Sequence, residues 1–149
     1  MINLKNILKG KVVILCLGNL DRGDDGVGPV IAAKLSGKTS HEVINAGMTP
    51  ENFTGPVTKL NPDTIIIIDT VMFDGAPGDY KIFKGDDLRE GKISTHDVSP
   101  KLLIEYLKSS TKAEIYILGI KPKSNNIGEP LSPEVEKSID EIVKLLIQS

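Results

Sequence analysis

Three side chains that could bind a metal ion or exchange a proton stand where predicted strands, loops and helices meet. Asp25 follows a glycine-rich loop, Asp69 ends an apolar run, and His96 lies in a polar segment ahead of a predicted helix. Two carboxylates and one imidazole with open positions are typical of a divalent transition-metal site, and the imidazole favours zinc, nickel or a similar ion over calcium or magnesium. The sequence therefore makes these three residues candidate metal ligands.

Each candidate also has a purely structural interpretation. Asp24 or Asp25 could cap the helix that follows, Asp69 could be a turn residue, and His96 could be a solvated loop residue, as could His41. A carboxylate directly after a buried strand often faces a site, however, because open α/β sheets bind ligands beyond the carboxyl ends of their strands. The position of Asp69 therefore favours a functional role.

Two unbroken apolar runs, residues 12–17 and 64–69, predict central strands that are buried on both faces. The first continues into the loop that carries Asp25, and the second ends at Asp69. If these two strands are neighbours, both carboxylates enter the same crevice, and the loop with His96 can reach over it.

The remaining elements follow from apolar spacing and turn residues. Further strands are expected at residues 41–45, 80–83 and 114–120, with the second of these at an edge because lysines alternate with its apolar residues. Helices are expected at residues 25–36 and after Thr49, Ser99 and Ser132, each a cap followed by proline. Strands separated by helices predict an α/β fold: one domain over residues 1–149, a three-layer α/β/α sandwich with a five-stranded, mostly parallel sheet.

Two helices carry more detailed expectations. The helix after Thr49 is expected to end soon afterwards, at Gly55-Pro56. The helix after Ser99 is expected to bury a single apolar stripe, formed by Leu102, Leu103, Tyr106 and Leu107.

Composition excludes several classes of protein. The 149 residues are 40% hydrophobic and 26% charged with a net charge of −2, as in ordinary soluble globular proteins, and no basic patch indicates nucleic acid as a partner. No apolar run is long enough to span a bilayer, and residues 1–10 lack the apolar length of a signal peptide. The single cysteine, Cys16, lies inside a strand; it is expected to be a core residue of a cytoplasmic protein without disulfides.

Two other kinds of site fit the sequence poorly. Gly18, Gly23, Gly26 and Gly28 do not give the spacing of a dinucleotide-binding loop, and neighbouring aspartates would repel a pyrophosphate. The glycines are instead expected to serve backbone geometry. No G-x-S-x-G motif for a serine nucleophile occurs.

The sequence resembles the [NiFe]-hydrogenase maturation endopeptidases in motifs spread in order along nearly the whole chain. The longest is GNxxxGDDGxGP at residues 18–29, and the others are Pro50-Glu51-Asn52, the strand ending at Asp69, Thr95-His96 and Gly119-Ile120-x-Pro122. The paired aspartates and Pro50-Glu51-Asn52 are similar to the branch that serves formate-hydrogenlyase-type hydrogenases, such as hydrogenase 3. The resemblance also implies that one strand of the five-stranded sheet is antiparallel.

The resemblance implies an endopeptidase that removes a C-terminal extension from the hydrogenase large-subunit precursor once nickel has been inserted. By position, Asp25, Asp69 and His96 would bind that nickel, and Asp25 and Asp69 would be the catalytic carboxylates of an aspartic-type or metal-dependent protease. No cofactor would be permanently bound, although zinc or cadmium could occupy the site. The expected partner is the precursor's C-terminal tail, with no nucleic acid and no membrane, and the protease is expected to be a cytoplasmic monomer. Lys121 stands where many members have Gln, which would alter contact with the substrate loop.

Two alternatives remain open. A non-catalytic nickel-binding assembly chaperone for the large subunit could use the same three residues. An amidase of similar architecture would need a Cys or Ser nucleophile in the crevice, and the sequence offers no evident one.

Overall fold

The centre of the molecule is formed by two adjacent parallel strands, which are the two apolar runs of the sequence. The computed structural model describes residues 4–149, so the first three residues of the 1–10 segment lie outside it. The strands are β1 (Val12–Leu17), β2 (Glu42–Gly47), β3 (Thr64–Thr70), β4 (Tyr80–Lys84) and β5 (Glu114–Ile120). The helices are α1 (Val27–Leu35), α2 (Thr54–Lys59), α3 (Gly85–Arg89), α4 (Ser99–Ser110) and α5 (Pro133–Gln148), with short 3-10 turns at Leu4–Asn6, Gly23–Gly26 and Pro50–Phe53.

The five strands form one sheet in the order β2-β1-β3-β5-β4. All pairs are parallel except β4 with β5, which is antiparallel, so the predicted edge strand and the mostly parallel sheet are confirmed. Because β1 pairs directly with β3, their carboxyl ends open at the same edge of the sheet. This arrangement brings the segments after the two strands together.

Helices cover both faces of the sheet, which explains why β1 and β3 are apolar without alternation. Ile14 and Ile66 belong to a core cluster shared with α1 and α5. Leu15 and Ile67 point to the opposite face, into a second cluster shared with α2, α3 and α4. Successive side chains of a strand point to opposite faces, and here both faces are buried. The result is the predicted three-layer sandwich.

The prediction that Gly55-Pro56 ends the helix after Thr49 is wrong. A 3-10 turn at Pro50–Phe53 leads into α2, which contains both residues. Pro56 is tolerated because it lies in the first turn, where the N–H that proline lacks would have had no partner within the helix. Thr49 precedes the 3-10 turn and makes no side-chain capping bond. The sequence analysis also missed α3, a five-residue helix in which Leu88 is the only large buried side chain.

The predicted buried stripe of α4 is half wrong. Leu103 and Leu107 are buried as expected, but Leu102 and Tyr106 are exposed, and Ile104 takes their place in the core. Ser99 is the first helical residue and not the cap; its N–H donates to the carboxylate of Asp97. The start of α5 agrees with prediction, since Ser132 Oγ accepts a hydrogen bond from Val135 N.

None of the helices described within residues 4–149 has the length and apolar character needed to cross a membrane.

Candidate active site

A pocket of about 260 Å³ opens at the carboxyl edge of the sheet, beyond β1 and β3. Asp25, Asp69 and His96 all line it, together with Arg22 and Asp97. Asp25 comes from the segment after β1, Asp69 from the end of β3 and His96 from the loop between α3 and α4. The pairing of β1 with β3 brings the first two together. The three residues therefore line one crevice, as the sequence analysis expected.

Two glycines allow the loop between β1 and α1 to fold tightly enough to present Asp25. Gly18 has a φ of +139°, and a Cβ built there would lie 2.0 Å from the carbonyl oxygen of Asp25. A Cβ on Gly28 would lie 2.0 Å from the carbonyl oxygen of Leu17, so α1 starts directly against the end of β1. These positions require glycine, as the sequence analysis expected.

Asp25 is almost completely buried, and both of its carboxylate oxygens have hydrogen-bond donors. Asn19 N donates to Oδ2 at 3.0 Å, and Thr70 Oγ1 donates to Oδ1 at 3.2 Å. The side chain is therefore fixed from its own loop and from the end of β3. Such a doubly held carboxylate has a defined orientation within the pocket.

Asp69 is buried beside Asp25 and is the most electrostatically perturbed group of the pocket. Its Oδ1 accepts a hydrogen bond from Thr70 N at 2.8 Å. Burial first, and the charge of Asp25 second, raise the pKa of Asp69 well above its ordinary value, against the smaller lowering effect of the Thr70 N–H. Asp69 can thus keep a proton under conditions in which an exposed aspartate has lost it.

His96 lies on the exposed side of the pocket, in the loop between α3 and α4. An isolated bridge between Met72 and Ser94, with Met72 N donating to Ser94 O at 2.8 Å, holds this loop beside the end of β3. Within residues 4–149, no group of three or more His, Cys, Asp and Glu side chains is arranged to hold one metal ion. The three-ligand set therefore stays a prediction.

Asp24 has a different role from Asp25. It is completely buried, does not line the pocket, and accepts hydrogen bonds from Lys123 N (2.8 Å), Ser124 N (3.2 Å), Ser132 N (2.7 Å) and Ser132 Oγ (2.9 Å). It thereby ties the loop after β1 to the loop between β5 and α5. Neither aspartate caps α1, whose N-cap is Gly26 without a side-chain bond.

The sequence analysis missed Arg22 and Asp97 as pocket residues. Arg22 is half-buried; its Nε is buried without a hydrogen-bond partner, and its guanidinium forms no ion pair within the described chain. Its position in the glycine-rich loop was the available signal, since loops at this edge of the sheet face the crevice. Asp97 could have been found from its place next to His96.

The alternative nucleophiles have no support at this pocket. Cys16 is buried in β1, and burial raises the pKa of its thiol to about 12, which makes it a core residue as expected. Ser99 lines the pocket, but within the described residues its hydroxyl has no hydrogen bond to a histidine or carboxylate. The activated pair that an amidase of this architecture would need is therefore not assembled.

Comparisons with known proteins identify the family. The model of the HycI hydrogenase maturation protease family matches residues 29–149. A putative hydrogenase maturation protease of Methanocaldococcus jannaschii is 37% identical over 148 residues, which cover 93% of this chain and 87% of the relative. The chain belongs to the hydrogenase maturation protease family.

Two further hydrogenase maturation proteases agree with this assignment. The hydrogenase 3 maturation protease of Escherichia coli is 31% identical over 137 residues, covering 90% of this chain and 87% of the relative. The crystal structure of the [NiFe] hydrogenase maturation protease HycI from Thermococcus kodakarensis has a TM-score of 0.86 at 26% identity, over 97% of this chain and 96% of that one. The predicted family and fold class are therefore confirmed, and the chain is a hydrolase of the peptidase type.

Lys121, which stands where many members of the family have Gln, contacts residues of its own chain. Its ammonium donates a hydrogen bond to the carbonyl oxygen of Phe73 and lies 5.9 Å from the centre of that residue's ring. Lys121 therefore fixes the loop after β3.

Proposed function

We propose that this hydrogenase maturation protease removes the C-terminal extension of a [NiFe]-hydrogenase large-subunit precursor after nickel insertion. The observation that carries the proposal is the common pocket of Asp25, Asp69 and His96. A tail entering this pocket would bring its peptide bonds to two buried carboxyl groups. We also propose that it acts as a monomer in the cytoplasm, without a permanently bound cofactor.

In this proposal the nickel is part of the substrate, and it is recognised by side chains that still have binding capacity. Two carboxylates and an imidazole suit nickel or zinc and leave coordination positions for ligands that the precursor supplies. Asp69 Oδ2 has no hydrogen-bond partner within the described residues, whereas the other three carboxylate oxygens of the pair each accept one. Asp69 Oδ2 and the exposed His96 are therefore the groups most open to the incoming ion.

The two acids can divide the work of hydrolysis. Asp25 would take a proton from the attacking water as its oxygen bonds to the scissile carbonyl carbon. The proton that Asp25 has taken up would then pass to the leaving amine as the C–N bond breaks, while Asp69, whose own proton the incoming ion would displace, would hold the nickel as a carboxylate. The Arg22 guanidinium, whose Nε has no acceptor among residues 4–149, would donate a hydrogen bond to the carbonyl oxygen, where negative charge develops.

The decisive experiment compares nickel-loaded and nickel-free precursor, each mixed with purified protease, by following the mass of the large subunit. Mass loss from the loaded precursor alone is expected. Equal cleavage of both forms would reject nickel-gated recognition, while stable binding without any loss of mass would favour the assembly chaperone. Asp69→Asn should abolish cleavage, and Asp140→Asn, which changes an exposed acid on α5, is the matched control.

A further inference from the structure

Helix α4 carries apolar side chains on a second face, which the core does not use. Leu103, Ile104 and Leu107 are buried against the sheet. Val98, Leu102 and Tyr106 are 72%, 61% and 48% exposed, and their spacing of four residues places them in a row along the outside of the helix. Single exposed apolar residues are ordinary, but an aligned row marks an interaction surface.

This row begins at the rim of the active-site pocket. Val98 stands between Asp97 and Ser99, both of which line the pocket. Met48 lines the pocket and is 65% exposed, and the 3-10 turn that follows it packs against α4. We call Met48, Val98, Leu102 and Tyr106 the α4 surface. At a rise of about 1.5 Å per residue, it extends roughly 12 Å along the helix from Val98 to Tyr106.

We propose that the α4 surface binds the folded body of the large-subunit precursor while the precursor's tail occupies the pocket. This inference rests on the proposed function, because it assumes that a protein tail is cleaved there. A pocket of about 260 Å³ holds only a few residues, so the polypeptide that precedes the scissile bond must leave across the rim. The α4 surface begins at that rim, at Met48 and Val98, and extends from it along the helix far enough to contact a folded domain.

The neighbouring charges fit a contact that is mainly apolar. Lys101 and Glu105 flank the row on the exposed side of α4 and carry opposite charges, so the surface has no strong charge of either sign. Apolar side chains at the centre with charged groups at the margin are the usual composition of a protein–protein interface. A second copy of this chain is the competing occupant, and the test separates the two.

The test measures precursor binding and cleavage with the double variant Leu102→Ser/Tyr106→Ser. We expect the KM and the Kd for nickel-loaded precursor to rise about tenfold or more, with kcat at saturation changed less than about twofold. Ile147→Ser, at an exposed apolar position on α5 in the opposite layer, is the control and should bind as the unaltered protein does. Because the substituted side chains are exposed, all variants should keep the circular dichroism spectrum of the folded protein.

A Kd of the double variant for nickel-loaded precursor within twofold of the value for the unaltered protein would overturn the inference. Dissociation of a dimer by the double variant, with unchanged precursor binding, would assign the α4 surface to a second copy of the chain and would also overturn it. If the unaltered protein binds precursor through Leu102 and Tyr106 but never shortens it, the α4 surface stands and the proposed proteolysis fails.

Discussion

Asparagine substitutions at the adjacent residues Asp24 and Asp25 should have different effects: Asp24→Asn should lower mainly the stability, and Asp25→Asn mainly the activity. Asp24 accepts four hydrogen bonds, three of them from the backbone N–H groups of Lys123, Ser124 and Ser132. An asparagine there must direct its NH₂ group either at Ser132 N–H or at the other two N–H groups. The better orientation directs the NH₂ group at Ser132 N–H. One charge-assisted hydrogen bond is then lost, and the buried Ser132 N–H faces another donor.

The size of the effect follows from that count. Hydrogen bonds to charged groups contribute about 1.5–3 kcal/mol, and an unsatisfied buried donor costs about 1–3 kcal/mol. Asp24→Asn should therefore lower the free energy of unfolding by about 3 kcal/mol, a large part of the roughly 5–15 kcal/mol typical of a domain. Asp25→Asn should change it by less than about 1 kcal/mol, because the amide can accept from Asn19 N and donate to the Thr70 hydroxyl.

Urea denaturation followed by circular dichroism measures stability, and the mass of the processed precursor measures activity. At a temperature where both variants are folded, Asp24→Asn should keep kcat within a few-fold of the unaltered protein, since Asp24 does not line the pocket. Asp25→Asn should lose about a hundredfold or more, the usual contribution of a general base. Equal loss of stability in both variants, or an active Asp25→Asn, would refute the assignment of separate roles.

Three further predictions concern single positions. Because the pKa of Asp69 is raised in the folded state, the unfolded chain loses this proton first, and the free energy of unfolding falls as pH rises above the ordinary pKa of 3.8. Each pKa unit corresponds to about 1.4 kcal/mol. In urea denaturation, the stability gained by Asp69→Asn should therefore be larger at pH 7 than at pH 4. Arg22→Met should lower kcat for precursor cleavage about tenfold or more with a smaller change in KM, and a variant whose KM alone rises would assign Arg22 to ground-state binding. Gly28→Ala should lower the thermal midpoint by several degrees, because its Cβ would meet Leu17 O at 2.0 Å, and an unchanged midpoint would contradict that packing.

The main features of the fold could be predicted because its central strands have only one reasonable interpretation. Residues 12–17 and 65–68 are apolar on both faces, and only a sheet covered by helices on both sides buries such strands. The details that failed involve weaker local signals. In α3 the only large buried side chain is Leu88, so no apolar period exists to detect. In α4, apolar residues at 102–104 and 106–107 fit two overlapping stripes, and only packing against the sheet selects between them.

The site could be predicted only in part, for a related reason. The position of Asp69 followed from the strand that it ends, since a residue at a strand terminus faces the crevice whatever the loops do. The division of labour between Asp24 and Asp25 could not be predicted, because it depends on N–H groups about a hundred residues away in the loop before α5. The side chain of Asp25 is oriented separately, by Asn19 N and by the Thr70 hydroxyl. Asp24 therefore anchors the loop through distant backbone groups and serves stability, while Asp25, oriented by its own two donors, serves the reaction.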